Sequence, residues 1–199
     1  DATFALAEKS CELAKDQAQE HVYIHNSAKI SQTYFPDKTG NLATENLTLA
    51  FQPIVNIDTN ESDLYEVLTR FRLEDGSLIP AAHFMHEINR SEWRLELDRW
   101  VLQAAIQALS HNPLTRESGT LIVHLSEESL KQKLFLSFIS NVMRNSRIRG
   151  QKRLIVVVDA IWVTQNEESA KFAIQALRDS GFGVCIKRVE PVKMTSLIQ

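Results

Sequence analysis

Cysteine is scarce in this chain: Cys11 and Cys185 are the only two among 199 residues, and they lie far apart. That excludes a disulfide framework and fits a reduced, cytosolic compartment. An excess of positive charge is missing too. Lys and Arg number 22 against 25 Asp and Glu, a formal net charge of -3, which argues against a nucleic-acid partner held through its phosphates. The densest basic segment, "RNSRIRGQKR" (Arg144–Arg153), sits between a helical and a strand-like run and reads as a solvated loop. No apolar run approaches the ~18 residues of a membrane span, and no signal peptide precedes Asp1. Opening on Asp rather than Met, the chain reads as an excerpt of a longer protein. What is present is ordinary: 44% hydrophobic and 24% charged residues predict a soluble globular protein of one or two domains.

The pattern along the chain changes near Asn46. Before it, "ATFALAEKSCELAKDQAQE" has helical periodicity and "HVYIH" reads as a short strand. The polar stretch from Asn26 to Glu45, broken by Pro36 and Gly40, reads as a linker. From Asn46, "LTLAFQPIVNI" and "DLYEVLTRFRL" predict two strands around the turn "DTNES". Pro80 is expected to open a helix through about Ile88, and "SEWRLELDRWVLQAAIQALS" predicts an amphipathic helix with Ser91 as its N-cap. Then the chain alternates: strand "TLIVHLS", helix "EESLKQKLFLSFISNVMRN", strand "RLIVVVDAIW", helix "NEESAKFAIQALRDS" stopped by Gly181, strand "GVCIK". This order predicts an α/β fold, either an open parallel sheet or a barrel short of its last third, since a closed eight-stranded barrel takes ~250 residues.

In such folds ligands gather at the C-terminal ends of the strands. Gln52 and Pro53 interrupt the first strand, and Glu66 and Arg70 share a face of the second. His124 and Ser126 end the third, Asp159 and Trp162 the fourth, Lys187 and Arg188 the fifth. Singly, each has a plain structural reading: a satisfied histidine, a helix cap, a carboxylate too far from its strand neighbour for contact. Five successive strands ending in ionisable or amide groups point together to a binding mouth.

These residues carry a resemblance. From Asn46 to about Glu190 the chain resembles the EAL domain, whose active members hydrolyse the bacterial second messenger cyclic di-GMP on a TIM-like barrel. "FQPIVNI" is similar to the family's first-strand Gln-Pro signature, and "YEVLTRFR" to its Glu-Ala-Leu strand, here Glu66-Val67-Leu68 followed by Arg70. "DGSLIPAAHF" and "LDRWVL" resemble the following helices. "IVHLS" stands in place of an Asn-x-Ser strand end, "LIVVVDAIW" of a Glu-x-x-Glu ending, and "LRDSGFGVCIKRVE" of the segment ending in Asp-Asp-Phe-Gly. More weakly, "AEKSCELAKDQAQEHVYIH" resembles the end of a GGDEF domain. The expected organisation is therefore a GGDEF-like remnant over 1–27, a linker over 28–45, and an EAL-like domain over 46–199. The expected fold is a TIM-like (β/α) barrel of the EAL type, incomplete in this chain, which stops before the family's later strands.

Active members use two divalent metals, which require several hard oxygen ligands. By resemblance, Glu66 keeps its carboxylate, while His124 replaces an Asn ligand. Asp159 shortens the first Glu of its pair and Trp162 replaces the second; Lys187 and Arg188 replace both aspartates. No catalysis, no bound metal and no other cofactor are expected; Lys187 or Arg188 is expected to pair with Glu66 or Asp159 in place of the lost metal charge. The ligand-binding set implied by the resemblance is Phe51, Gln52, Glu66, Leu68, Arg70 and Asp98, Asp98 facing guanine and Arg70 a phosphate. The Glu-Val-Leu variant is similar to FimX-type members, which bind cyclic di-GMP without cleaving it and engage PilZ-type adaptors of the type IV pilus machinery. A cytoplasmic, non-catalytic cyclic di-GMP receptor with a protein partner, of PilZ type or a second copy of itself, is thus one expectation. A scaffold that no longer binds nucleotide is the other.

Overall fold

The computed structural model describes residues 42–60, 62–85, 88, 91–111, 119–146, 148 and 153–189. The expected GGDEF-like remnant over 1–27 and most of the 28–45 linker lie outside the described residues, as does much of the basic stretch Arg144–Arg153. The linker's last residues are described and are not linker. Leu42 and Ala43 are 2% and 3% exposed within the core, so the packed domain begins before the expected Asn46.

A hairpin starts the sheet. Strands β1 (Leu47–Ile54) and β2 (Leu64–Arg72) pair antiparallel from Leu47↔Phe71 to Ile54↔Leu64. A tight turn follows, where both the N–H and the hydroxyl of Ser77 donate to Asp75 Oδ1, at 2.9 and 2.6 Å. It returns β3 (Leu78–Pro80) against the end of β2. Next come α1 (Ala81–Phe84), α2 (Ser91–His111) and β4 (Thr120–His124). They are followed by α3 (Glu127–Leu130), α4 (Lys133–Asn145), β5 (Leu154–Asp159), α5 (Ala160–Gln165), α6 (Glu167–Asp179) and β6 (Gly183–Lys187). Strands β4, β5 and β6 add in parallel, giving the order β1-β2-β4-β5-β6 with β3 beside β2. The expected alternation from Asn46 onward is therefore present, as an open mixed sheet among the described residues.

The sheet's two faces differ because strand side chains alternate. Val67, Leu121, Val123, Leu154, Val156 and Val158 point to one face and are buried in the core with the helices. The other face carries the polar strand ends. Close strand approach on that second face demands glycine at one point: a Cβ on Gly183 would stand 2.9 Å from Ile155 Cγ1.

Three element boundaries differ from expectation. Pro80 does not open a helix to Ile88; it ends β3 and occupies the N-cap position of the single-turn α1, its φ of -63° suiting both roles. The apolar run "RLIVVVDAIW" leaves the strand at Asp159, because that carboxylate accepts from Ile161 N at 3.0 Å and starts α5. The helix expected over "EESLKQKLFLSFISNVMRN" divides into α3 and α4 at Gln132, which is extended at φ -92°, ψ 116°. At the other end of α6 the expectation holds. Gly181, at φ 88°, follows the helix while Phe182 N donates to Leu177 O at 3.0 Å, a glycine C-cap.

Candidate functional site

Register decides which side chains share the polar face. Gln52 pairs with Glu66 and Glu66 with Ile122. Two residues on, His124 pairs with Val157, and two further, Asp159 pairs with Lys187. Paired residues in adjacent strands lie on the same face. Gln52, Glu66, His124, Asp159 and Lys187 therefore form one staggered line across the open face; His124, Asp159 and Lys187 are the last residues of β4, β5 and β6, while Gln52 and Glu66 lie within β1 and β2. By the same alternation Leu68 and Arg70 share that face of β2.

The two carboxylates on this line each have a side-chain partner within the protein. His124 Nε2 donates to Glu66 Oε1 at 2.7 Å, with both side chains partly exposed. Arg188 reaches back from the end of β6 and bonds Asp159 Oδ2. Asp159 is 5% exposed, and its other oxygen caps α5. Burial tends to raise its pKa, but the Arg188 hydrogen bond, the Ile161 N–H and the charges of Arg188 and Lys187 together hold it below the usual carboxylate range. Arg188 achieves this from a left-handed backbone, φ 58°, unusual for a residue with a side chain. The Lys187 side chain makes no hydrogen bond or ion pair among the described residues, and the residue is exposed.

A cleft of about 320 Å³ opens over β4, β5 and β6, lined among others by His124, Ser126, Asp159, Trp162, Lys187 and Arg188. Trp162 is 1% exposed, and its Nε1 donor has no acceptor among the described residues. Asp98 on α2 supports the cleft from behind: its Oδ2 accepts from Ser126 N at 2.8 Å and Ser126 Oγ at 2.6 Å. Burial raises the pKa of Asp98, against the hydrogen bonds from Ser126 and Ser129 and the charge of Arg94.

The structure thus brings together four of the six expected ligand residues: Gln52, Glu66, Leu68 and Arg70. It separates the other two. Phe51 pairs with Val67 and packs against the core on the opposite face, as alternation with Gln52 requires. Asp98 is 5% exposed with one oxygen doubly engaged by Ser126, so it orders the turn after β4 rather than lining the cleft. The expected compensating ion pair is present in one of its forms: Arg188 takes Asp159, while Glu66 is taken by His124. That second pairing was not foreseen, and its only signal was two titratable residues at the ends of strands that prove adjacent. Hard oxygen ligands are few here. Among the described residues no group of three or more His, Cys, Asp or Glu side chains could hold a metal ion.

An α/β sheet with polar groups gathered on one face, near the C-terminal ends of its parallel strands, is the arrangement in which such folds hold their ligands. The chain belongs to the EAL domain family, which it matches over residues 38–190. It is 26% identical to the FimX EAL domain of Pseudomonas aeruginosa, solved bound to cyclic di-GMP, with a TM-score of 0.64 over 74% of this chain and 59% of that one. The FimX EAL domain of Xanthomonas citri, also solved with cyclic di-GMP, shares the fold at 21% identity and a TM-score of 0.61, over 70% of this chain and 54% of that one. A protein of Thiocystis violacea, called an uncharacterized 76.5 kDa protein in the phbC 3' region, is 29% identical over 153 residues, 76% of this chain. The chain spans 22% of that relative's length. Among the described residues no helix is long and apolar enough to cross a membrane.

Proposed function

We propose that this chain is a non-catalytic receptor for cyclic di-GMP, an EAL domain that passes nucleotide occupancy to a protein partner. The observation that carries the reading is that both strand-end carboxylates, Asp159 and Glu66, are engaged by side chains of the protein. Hydrolysis by two metals needs carboxylates free to bridge them. Here Asp159 is bonded by Arg188 and Glu66 by His124, with Lys187 beside Asp159. A divalent cation would have to displace a guanidinium and settle next to an ammonium, so these residues do not fit a two-metal centre. Nucleotide binding does not depend on that set alone. Gln52 and Arg70 remain on the polar face, Arg70 as a planar donor suited to phosphate. The 26% identity to a FimX EAL domain solved with cyclic di-GMP supports the same reading. On it, the protein partner is of the PilZ-adaptor kind and the setting cytoplasmic.

The same side-chain pairings favour a second reading, in which the site is closed on itself and the domain is a scaffold without nucleotide. One titration separates them. Calorimetry with cyclic di-GMP, in EDTA and again in Mg2+, is expected to give the same saturable binding in both, with only intact cyclic dinucleotide recovered. Linear dinucleotide in the recovered ligand overturns the non-catalytic claim, and an absence of heat in both buffers supports the scaffold.

A further inference from the structure

We propose that Lys187 is a phosphodiester-binding residue, its ammonium taking one phosphate of the cyclic dinucleotide directly, where no metal ion mediates. The inference rests on the receptor reading above and names the group that carries it.

The Lys-Arg pair at the end of β6 is split by its backbone. Arg188 turns through φ 58° and spends its guanidinium on Asp159. Lys187 keeps the strand conformation and stays on the polar face, opposite Asp159 in register. The nearest anion is thereby already neutralised, and Lys187 makes no ion pair among the described residues. Other acidic groups around the cleft do not claim it: Glu127 pairs with Lys131 at 3.8 Å, and Glu128 is exposed at the rim. One unspent ammonium in a cleft suits one singly charged acceptor. A phosphodiester carries one negative charge per phosphate, whereas a divalent metal would be repelled. Ammonium is a point charge with three donors and is a regular phosphate ligand. The cleft volume of about 320 Å³ admits a phosphate and part of a nucleotide rather than a bare ion alone.

The test is calorimetric titration of the intact protein with cyclic di-GMP in EDTA at two salt concentrations, with Lys187→Ala, Lys187→Arg and Lys187→Glu beside the unaltered chain. Removing one charge-assisted hydrogen bond is expected to weaken Kd about ten- to a hundredfold in Lys187→Ala. Lys187→Arg should retain most of the affinity, Lys187→Glu should bind least, and the salt dependence of Lys187→Ala should be shallower than that of the unaltered protein. Because Lys187 is exposed, matching circular dichroism spectra are expected for all four proteins. Equal affinity and salt dependence in Lys187→Ala and the unaltered chain overturn the inference while leaving the receptor reading intact. No binding by the unaltered chain overturns the receptor reading, and the inference with it.

Discussion

Two buried carboxylates in this domain respond to burial in opposite ways. Asp98 has its pKa raised, because desolvation outweighs its hydrogen bonds to Ser126 and Ser129. Its ionised form therefore costs stability above the folded pKa, a cost relieved as the pH falls through it. Asp159 has its pKa lowered: burial works to raise it, and the Arg188 hydrogen bond, the Ile161 N–H and the nearby cations prevail. A depressed carboxylate contributes stability that is present above its unfolded pKa of about 3.9 and lost as the pH falls through the folded value. Arg188 supplies much of that contribution while holding a left-handed backbone that itself costs about 1–2 kcal/mol. Replacing Arg188 with Ala keeps the backbone cost and strips the partner. Urea unfolding at pH 7 is expected to show a loss of about 1 kcal/mol, held to that size because the guanidinium is largely exposed to solvent. The loss should shrink as Asp159 is protonated below about pH 4. A gap that stays constant from pH 7 to pH 3 would count against Asp159–Arg188 as its source.

The elements themselves were largely readable, and the failures share a cause. Strands β4, β5 and β6 announced themselves as apolar runs, and α6 by its periodicity and by Gly181 after it. What sequence patterning missed were ends chosen by a side chain rather than by composition. Asp159 stops an apolar run through a cap, and Gln132 divides α3 from α4 with neither Pro nor Gly nearby. The contact between β5 and β6 was equally invisible, since it depends on which residues register brings together. Gly183 faces Ile155 at a distance where no Cβ fits, and Ile155 is β-branched and stiff about χ1. Gly183→Ala should therefore force the two strands apart and lower stability by about 1–3 kcal/mol in chemical denaturation. In an Ile155→Ala background the colliding atom is gone, so the same substitution should cost distinctly less. Additive costs in that double-mutant cycle would show the contact to be relaxed in solution.

At the scale of the molecule, the site exists only because the sheet staggers residues from five strands along one face. That the strand ends would converge was legible from their chemistry and from the α/β order. Which cation would meet which carboxylate was not, because the answer lies in the positive φ of Arg188 and in the β2–β4 register that sets His124 against Glu66. Phe51 and Asp98 stand apart from the other expected ligand residues for a similar reason: neighbours in sequence stand on opposite faces, and a helix carboxylate is taken up by Ser126. The assembled face makes a clear statement about linkage. Whatever binds the folded state alone stabilises it by mass action, about 2.7 kcal/mol at a hundredfold excess over Kd. A two-metal centre would make the folded domain sensitive to chelation. A centre whose carboxylates are already engaged gains nothing from Mg2+ or Mn2+, because Asp159 is held by Arg188 and Glu66 by His124. Thermal unfolding in EDTA and in millimolar Mg2+ or Mn2+ should accordingly share one midpoint. Saturating cyclic di-GMP in EDTA should raise that midpoint by about 5–10 °C for a domain of this size. If the metals alone raise it as much as the nucleotide does, the ion pairs are not a substitute for metal, and the polar face must open to release its carboxylates.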